Sequence, residues 1–393
     1  MTATLRALVQ KYDLKGQTLG DVALGAVIKH SRDWNLAREC AIGSGLSLKT
    51  PGVDLQRACG TSLEACIEIG NKISLGQIEA GIAGGTDTIS DAPVVYPDAY
   101  RTLLMESYRA RSFFGRLKPW LKLRPKHFKP VFPGVVEPRT GLSMGESTEI
   151  TAKQFDVSRE HQDQLALASH INAAKAWQSG FYNDLVVPYR GAESDNNVRP
   201  DTTYDKLAAL KPVFDRSDKG TLTAGNSTPL TDGAAAVLLA SEVWARKKNL
   251  PVAAWLSYCK VAAVNFIDAD GLLMAPAYAV SDMLKVANLR LQDFDFYEIH
   301  EAFAAQTIAT LKAWQSEQFC RERLGRNQPL GPIDLNKLNV MGGSIAIGHP
   351  FGATGGRLTI TLLREMRRRN VGLGLITICA AGALGFAMVL ERS

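Results

Sequence analysis

Apolar and polar positions along this chain of 393 residues alternate with two periods, one helical and one extended. Residues 4–32 read as two helical stretches broken at Lys15-Gly16-Gln17, and 33–50 as a short helix running into the glycine-rich Ala41-Ile42-Gly43-Ser44-Gly45. The run 53–58 then predicts a strand, 59–75 a helix, and the small-residue run 80–85 a buried strand. Strand, helix, strand in that order is the unit of a parallel sheet. From about 93 to 140 the pattern dissolves. Proline recurs at 93, 97, 119, 125, 130, 133 and 138, which predicts an excursion from the core. Helical periodicity returns at 158–180, with Ser158 and Asp163 as candidate caps. Thr231-Asp232-Gly233 leads into a small-residue strand over 234–240. A second α/β half follows, with a helix at 278–287, a strand at 294–299 ending at His300, and a helix at 301–314. Beyond it come a helix at 355–369 whose three terminal arginines suit the helix dipole, a strand at 372–378 ending at Cys379, and a last strand at 387–390.

The ends of these strands carry the candidate chemistry. Cys59 falls at a strand-to-helix corner, where the free amides of the first helical turn favour a thiolate, the reactive form of a nucleophile. His300, His349 and Cys379 stand at comparable places, and open α/β sheets set their sites at the C-terminal ends of strands. His349 lies within Asn339-Val340-Met341-Gly342-Gly343-Ser344-Ile345-Ala346-Ile347-Gly348-His349-Pro350-Phe351-Gly352-Ala353-Thr354-Gly355-Gly356, whose glycines predict close backbone approach. No Lys-Ser/Thr follows them, so a phosphate loop is poorly supported. One thiol as nucleophile, one imidazole as its base and a second thiol as proton shuttle form a coherent set. The second imidazole and backbone amides can hold developing oxyanions. His30, His127, His161 and His170 read as solvated or packing residues.

Composition narrows the field. Six cysteines at 40, 59, 66, 259, 320 and 379 form no C-x-x-C pair. This argues against zinc and thioredoxin-type redox chemistry and for a reduced, intracellular, cytoplasmic protein. No apolar run is long enough to span a bilayer, and the N-terminus shows no secretory apolar region. The net charge of +6 is uneven: residues 101–139 hold ten basic and two acidic residues, a local +8 that leaves the remainder at −2.

Taken together, five motifs in order resemble the thiolase superfamily over essentially the whole chain. They are Cys59-Gly60-Thr61-Ser62-Leu63-Glu64-Ala65, Gly225-Asn226-Ser227-Thr228-Pro229-Leu230-Thr231-Asp232-Gly233-Ala234-Ala235, His300-Glu301-Ala302-Phe303-Ala304, Gly348-His349-Pro350, and Cys379 with its small-residue tail. His300 in place of the Asn of many thiolases, with Ala380-Ala381-Gly382, is similar to the β-subunit branch of the fatty-acid oxidation complexes, related to the mitochondrial trifunctional protein.

The resemblance implies an α/β fold, a duplicated α-β-α-β-α sandwich. Residues 1–100 and 231–252 would form the first half, 253–393 the second, and 101–230 an inserted loop domain covering coenzyme A. It implies coenzyme-A-dependent cleavage of a 3-ketoacyl-CoA to acetyl-CoA and a shortened acyl-CoA. Cys59 would carry the acyl group, His349 would activate it, Cys379 would move the proton at the substrate α-carbon, and His300 would help position a water or an oxyanion at the substrate thioester. The amides of Cys59 and Ala381 would form an oxyanion hole, and Met144, Thr228 and Phe303 would line the coenzyme A pocket. Coenzyme A would be a substrate, with no cofactor and no metal. Implied partners are a second copy or four copies, and an enoyl-CoA hydratase/hydroxyacyl-CoA dehydrogenase subunit. A peripheral membrane contact through 101–139 is implied too, and no nucleic acid. Thiolases normally open with a strand ending in an Arg-Thr-Pro-like motif. This chain starts at the following helix, and the absent strand is expected at the centre of the first sheet. The alternatives are an acetyl-CoA C-acetyltransferase working toward condensation, a β-ketoacyl synthase, which a second acid/base Cys disfavours, and a non-enzymatic protein binding through its basic segment.

Overall fold

The computed structural model describes residues 1–131, 134–267 and 270–392; Pro133 of the proline series lies outside the described residues. Two four-stranded sheets form its frame. The first contains β1 (Asp21–Gly25), β2 (Val53–Asp54), β3 (Ala80–Asp87) and β4 (Gly233–Ala240), in the order β2-β1-β3-β4. β1 runs parallel to β2 and β3, and β4 antiparallel to β3. The second contains β5 (Trp255–Ala263), β6 (Phe296–Ile299), β7 (Leu373–Ala380) and β8 (Leu384–Glu391), in the order β5-β8-β7-β6.

Around them lie α1 (Thr2–Lys11), α2 (Leu36–Gly43) and α3 (Thr61–Ser74). Next come α4 (Asp98–Arg109), α5 (Phe113–Leu117), α6 (Met144–Gln154), α7 (Arg159–Gln178), α8 (Tyr204–Ala208) and α9 (Glu242–Lys247). The second half adds α10 (Ala275–Ala287), α11 (Ala304–Gln315), α12 (Glu317–Glu322), α13 (Ser344–Ile347) and α14 (Thr354–Arg369).

Three apolar clusters fix the layers. Leu5, Val9, Ala37 and Cys40 of α1 and α2 bury against Val22, Leu24 and Ile82 on one face of the first sheet. On its other face Ala23 and Ala83 meet Leu63, Cys66 and Ile69 of α3, and Leu358, Leu362 and Met366 of α14. Those two helices also cover Ile376, Ile378, Phe386 and Met388 of the second sheet. Its far face is closed by α10 and α11 through Val280, Met283, Leu284, Ala309 and Trp314. The chain is an α-β-α-β-α sandwich with α3 and α14 as its middle layer. They can approach closely because Gly355 has no side chain: a Cβ there would lie 2.7 Å from the Leu63 amide nitrogen.

Several elements depart from expectation. Residues 21–25, expected within a helix, form β1; all five are buried, and a parallel strand covered on both faces reads as a continuous apolar run. β2 keeps only two residues of the strand expected over 53–58, and β5 has no counterpart in the sequence reading. Asp163 does not cap α7, a role Ser158 fills alone; it is buried, bound to Arg159 (2.7 Å) and to Asn226 (3.0 Å). Nor does the first sheet have a gap at its centre, since β1 and β3 pair directly. In the second sheet, β8 pairs with β7 on one side and with β5 on the other. β4, its counterpart, pairs only with β3 among the described strands. The position for another strand in the first half is therefore an edge.

Between β3 and β4 come α4 to α8. Of these, α6 packs against α11, and α7 against α11 and α13. The inserted residues thus reach across to the second half, where the imidazoles lie.

Candidate active site

Cys59 stands on a tight corner just ahead of α3. Ala58 adopts a left-handed φ of 47°, which an alanine holds only when its surroundings demand it. The Thr61 hydroxyl supplies that demand, donating to the Ala58 carbonyl (2.6 Å) and accepting from the Arg57 amide (3.0 Å). Gly60 caps the helix and lies over the ring of Phe386 on β8. The helix begins at Thr61, two residues later than expected. Cys59 therefore sits outside the first turn, and its sulfur accepts from the amides of Ala381 and of Cys59 itself.

His300 extends β6. Its amide donates to the Thr377 carbonyl (2.9 Å), which sets it beside the end of β7 that carries Cys379. Asn339 clamps the approach: its side chain accepts from the Ile299 amide (2.9 Å) and donates to the Ile299 carbonyl (2.9 Å) and to Glu301 (2.6 Å). The buried Glu301 carboxylate also accepts from Ser169 (2.8 Å) and the Ile345 amide (3.2 Å), tying α7, α13 and the His300 turn together. His349 follows Gly348, whose φ of 110° belongs to glycine. Its amide donates to the Pro229 carbonyl (2.9 Å). The two imidazole rings lie against each other at a tilt of 45° with centroids 4.2 Å apart, and neither Nε2 atom has a hydrogen-bond partner among the described residues.

The charges run against the thiolate expectation. Burial pushes the Cys59 thiol up to about 12, and the amides of Ala381 and Cys59 offset only part of this. Burial, and then the charge of Cys59, hold Cys379 well above its ordinary range; its sulfur donates to Gln306 Oε1 (3.5 Å). Burial, and then the Arg357 cation, push His349 down to about 3. Burial, with His349 and Arg357 behind it, holds His300 well below its ordinary value. Burial thus favours the neutral form of both thiols and both imidazoles. Desolvation outweighs the amides at the corner.

The other sequence candidates also fall in place around this centre. The Thr228 hydroxyl donates to the Ser344 carbonyl (2.7 Å), and its amide to the Ala302 carbonyl (3.1 Å). Ser227 bridges to Phe303, whose ring meets Phe214 edge-on at 5.6 Å. Phe214 also lies against Gly145, the neighbour of Met144, so Met144, Phe303 and Thr228 border one region. Sequence reasoning missed Phe214, Gln306, Ser344, Thr354 and Arg357. The last three lie in or just after the glycine-rich run around His349, and only tertiary contact reveals them. Of the remaining histidines, His170 is buried with Nδ1 accepting from the Arg199 amide, and His30 lies against the Asp91 carbonyl. No cluster of His, Cys, Asp or Glu suited to a metal occurs among the described residues.

A thiol on a strained corner, a second thiol and paired imidazoles at the strand ends of a duplicated sandwich define an enzyme built for thiol-mediated transfer. Comparison with known proteins gives the family. The thiolase N-terminal domain matches residues 1–243 and the thiolase C-terminal domain residues 250–392. The chain belongs to the thiolase family and is an acyltransferase. The 3-ketoacyl-CoA thiolases of Yersinia pestis and Yersinia pseudotuberculosis are each 44% identical to it over 391 residues, 98% of this chain and 89% of theirs. Among solved structures, human mitochondrial 3-ketoacyl-CoA thiolase in complex with CoA superposes with TM-score 0.81 at 28% identity, covering 100% of this chain and 91% of that one. The Bacillus anthracis acetyl-CoA acetyltransferase gives 0.80 at 30% identity, covering 99% and 91%.

Proposed function

We propose that the chain is a 3-ketoacyl-CoA thiolase that cleaves its substrate through an acyl group carried on Cys59. The observation that carries this reading is the meeting of Cys59, Cys379 and the Ala381 amide at one point, with His300 bound to the strand that carries Cys379 and packed on His349. His349 accepts the Cys59 proton as the sulfur attacks the 3-keto carbon. The oxyanion that forms is held by the amides of Cys59 and Ala381. The bond between C2 and C3 breaks, its electron pair passes into the thioester as an enolate, and His300 stabilises the enolate oxygen. The Cys379 thiol, held protonated by burial, delivers its proton to C2 and releases acetyl-CoA. Free coenzyme A then takes the acyl group from Cys59, giving ping-pong kinetics. Coenzyme A is a substrate in this scheme, and no cofactor or metal takes part.

The wider context belongs to the same proposal: fatty-acid β-oxidation, a cytoplasmic setting, a homodimer or homotetramer, and docking to an enoyl-CoA hydratase/hydroxyacyl-CoA dehydrogenase subunit. No described helix is long and apolar enough to cross a membrane. Peripheral contact through 101–139 is supported by exposed Tyr108, Phe113, Phe114, Leu117 and Leu121 among the cations of that stretch. The test is consumption of a chain-length series of 3-ketoacyl-CoA substrates with and without coenzyme A. Coenzyme-A-dependent loss that disappears in Cys59→Ala supports the reading. Malonyl decarboxylation without thiolysis would favour a synthase instead.

A further inference from the structure

The two imidazole rings lie against each other, both Nε2 atoms are bare among the described residues, and a hydroxyl holds each ring at Nδ1. His349 Nδ1 lies 2.6 Å from Thr354 Oγ1, and His300 Nδ1 lies 2.8 Å from Ser344 Oγ. A hydroxyl has one proton and can act either way, so what stands on its other side decides which way it points. Behind Thr354 is the Pro350 carbonyl, 3.2 Å away, which can only accept. The Thr354 proton goes there, its lone pair takes Nδ1–H from His349, and Nε2 of His349 is left as an acceptor. Behind Ser344 is the guanidinium of Arg357, 2.7 Å away, which can only donate. Among the described contacts of the Ser344 hydroxyl, Nδ1 of His300 is then the one acceptor for its proton, so the hydroxyl donates there and Nε2 of His300 carries the hydrogen.

We infer that Arg357, acting through Ser344, is a positioning residue that fixes His300 as the Nε2–H tautomer, opposite to His349. One bare Nε2 of the pair is then a base and the other a donor. This rests on the proposed thiolase reading and deepens it: the base is the imidazole assigned to the Cys59 proton, and the donor is the one assigned to the thioester oxygen that becomes an enolate.

Three observations support a dedicated device. Arg357 Nε and Nη1 are buried without a hydrogen-bond partner among the described residues, so its directed contact is the one with Ser344. No carboxylate forms an ion pair with it in the described structure; Glu298, Glu301 and Asp195 are its electrostatic neighbours. Ser344 is itself pinned, since its carbonyl accepts from Thr228 and the Ile345 amide that follows it donates to Glu301. The Arg357 cation also opposes protonation of either imidazole, which keeps the tautomers distinct.

The test is a multiple-bond proton–nitrogen spectrum of the full chain labelled with 15N-histidine, near neutral pH, with His300 assigned by its loss in His300→Gln. The expected pattern is Nε2–H for His300 and Nδ1–H for His349. Finding Nδ1–H on His300 overturns the inference. Ser344→Ala removes the relay; His300 should then show the other tautomer or a mixture, and kcat for cleavage should fall about 10²-fold, as for loss of one oxyanion donor. Ser344→Thr, which keeps the hydroxyl, should restore tautomer and rate. Arg357→Met should act as Ser344→Ala does, and where it does not fold, the two Ser344 variants still decide. Equal losses in cleavage and in Cys59 acylation by acyl-CoA would overturn the positioning role. Failure of the thiolase reading would appear separately, as a parental protein that never acylates while its tautomer pattern is unchanged.

Discussion

Gly60→Ala should damage both stability and catalysis, and for one reason. A Cβ at this position would lie 2.0, 2.3 and 2.6 Å from three ring carbons of Phe386, a side chain with no solvent exposure between the second sheet and α3. An ordinary contact begins at 3.4 Å, so the ring or the Cys59 corner must retreat by about 1.4 Å. Overpacking of this kind costs about 1–3 kcal/mol. The melting temperature should fall by roughly 1–4 °C, since an unfolding entropy of about 2.1 cal/mol/K per residue makes each kcal/mol worth about 1.2 °C in a chain of 393 residues. A nucleophile displaced by about 1 Å should lose on the order of 10²-fold in kcat/KM. Thermal unfolding and steady-state cleavage measure the two effects. Phe386→Leu in the same chain removes the obstructing ring edge, and the double variant should be more stable than the sum of the single changes predicts. A Gly60→Ala protein with parental melting temperature and kcat/KM, or strictly additive costs, would refute the reasoning.

Alkylation of Cys59 by iodoacetamide should accelerate about tenfold per pH unit between pH 7 and 10, because burial pushes its thiol up to about 12; a rate plateau below pH 7 would reveal a thiolate–imidazolium pair. Thr354→Val strips His349 of its Nδ1 acceptor and should slow Cys59 acylation by about 10-fold or more through loss of orientation, while Thr354→Ser keeps the rate; stopped-flow acylation checks both. Burial lifts Glu298 from 4.5 to about 8, so between those pH values the folded chain binds more protons than the unfolded one and stability declines as pH rises. Glu298→Gln should remove that decline, its melting temperature gaining on the parental protein from pH 5 to pH 8, and a constant difference would count against the assignment.

The residues to which we assign the chemistry stood out in the sequence through local marks. Cys59, His349 and Cys379 sit among glycines or small residues, and His300 ends the alternating run of a strand, which is what a strand end near a ligand requires. Strands with weak local signatures did not stand out. β1 is only five residues, all buried, and its apolar run could equally be helix. β5 is half-exposed along most of its length, so it lacks the clean alternation that marks a strand. A sequence displays a helix start but not the desolvation around it, and burial at Cys59 works against the thiolate that the helix start favours. Ser344 and Arg357 act on His300 from 44 and 57 positions away, separations that no local pattern reports.

The central claim is that Cys59 carries the acyl group within each turnover. Intact-mass and peptide mass spectrometry after mixing the full chain with acyl-CoA, in the absence of free coenzyme A, tests it most directly. The account predicts the acyl mass on the Cys59 peptide, its release on adding coenzyme A, its absence in Cys59→Ala and its slow appearance in Cys379→Ala. An unmodified Cys59 in a chain that still consumes 3-ketoacyl-CoA would contradict it.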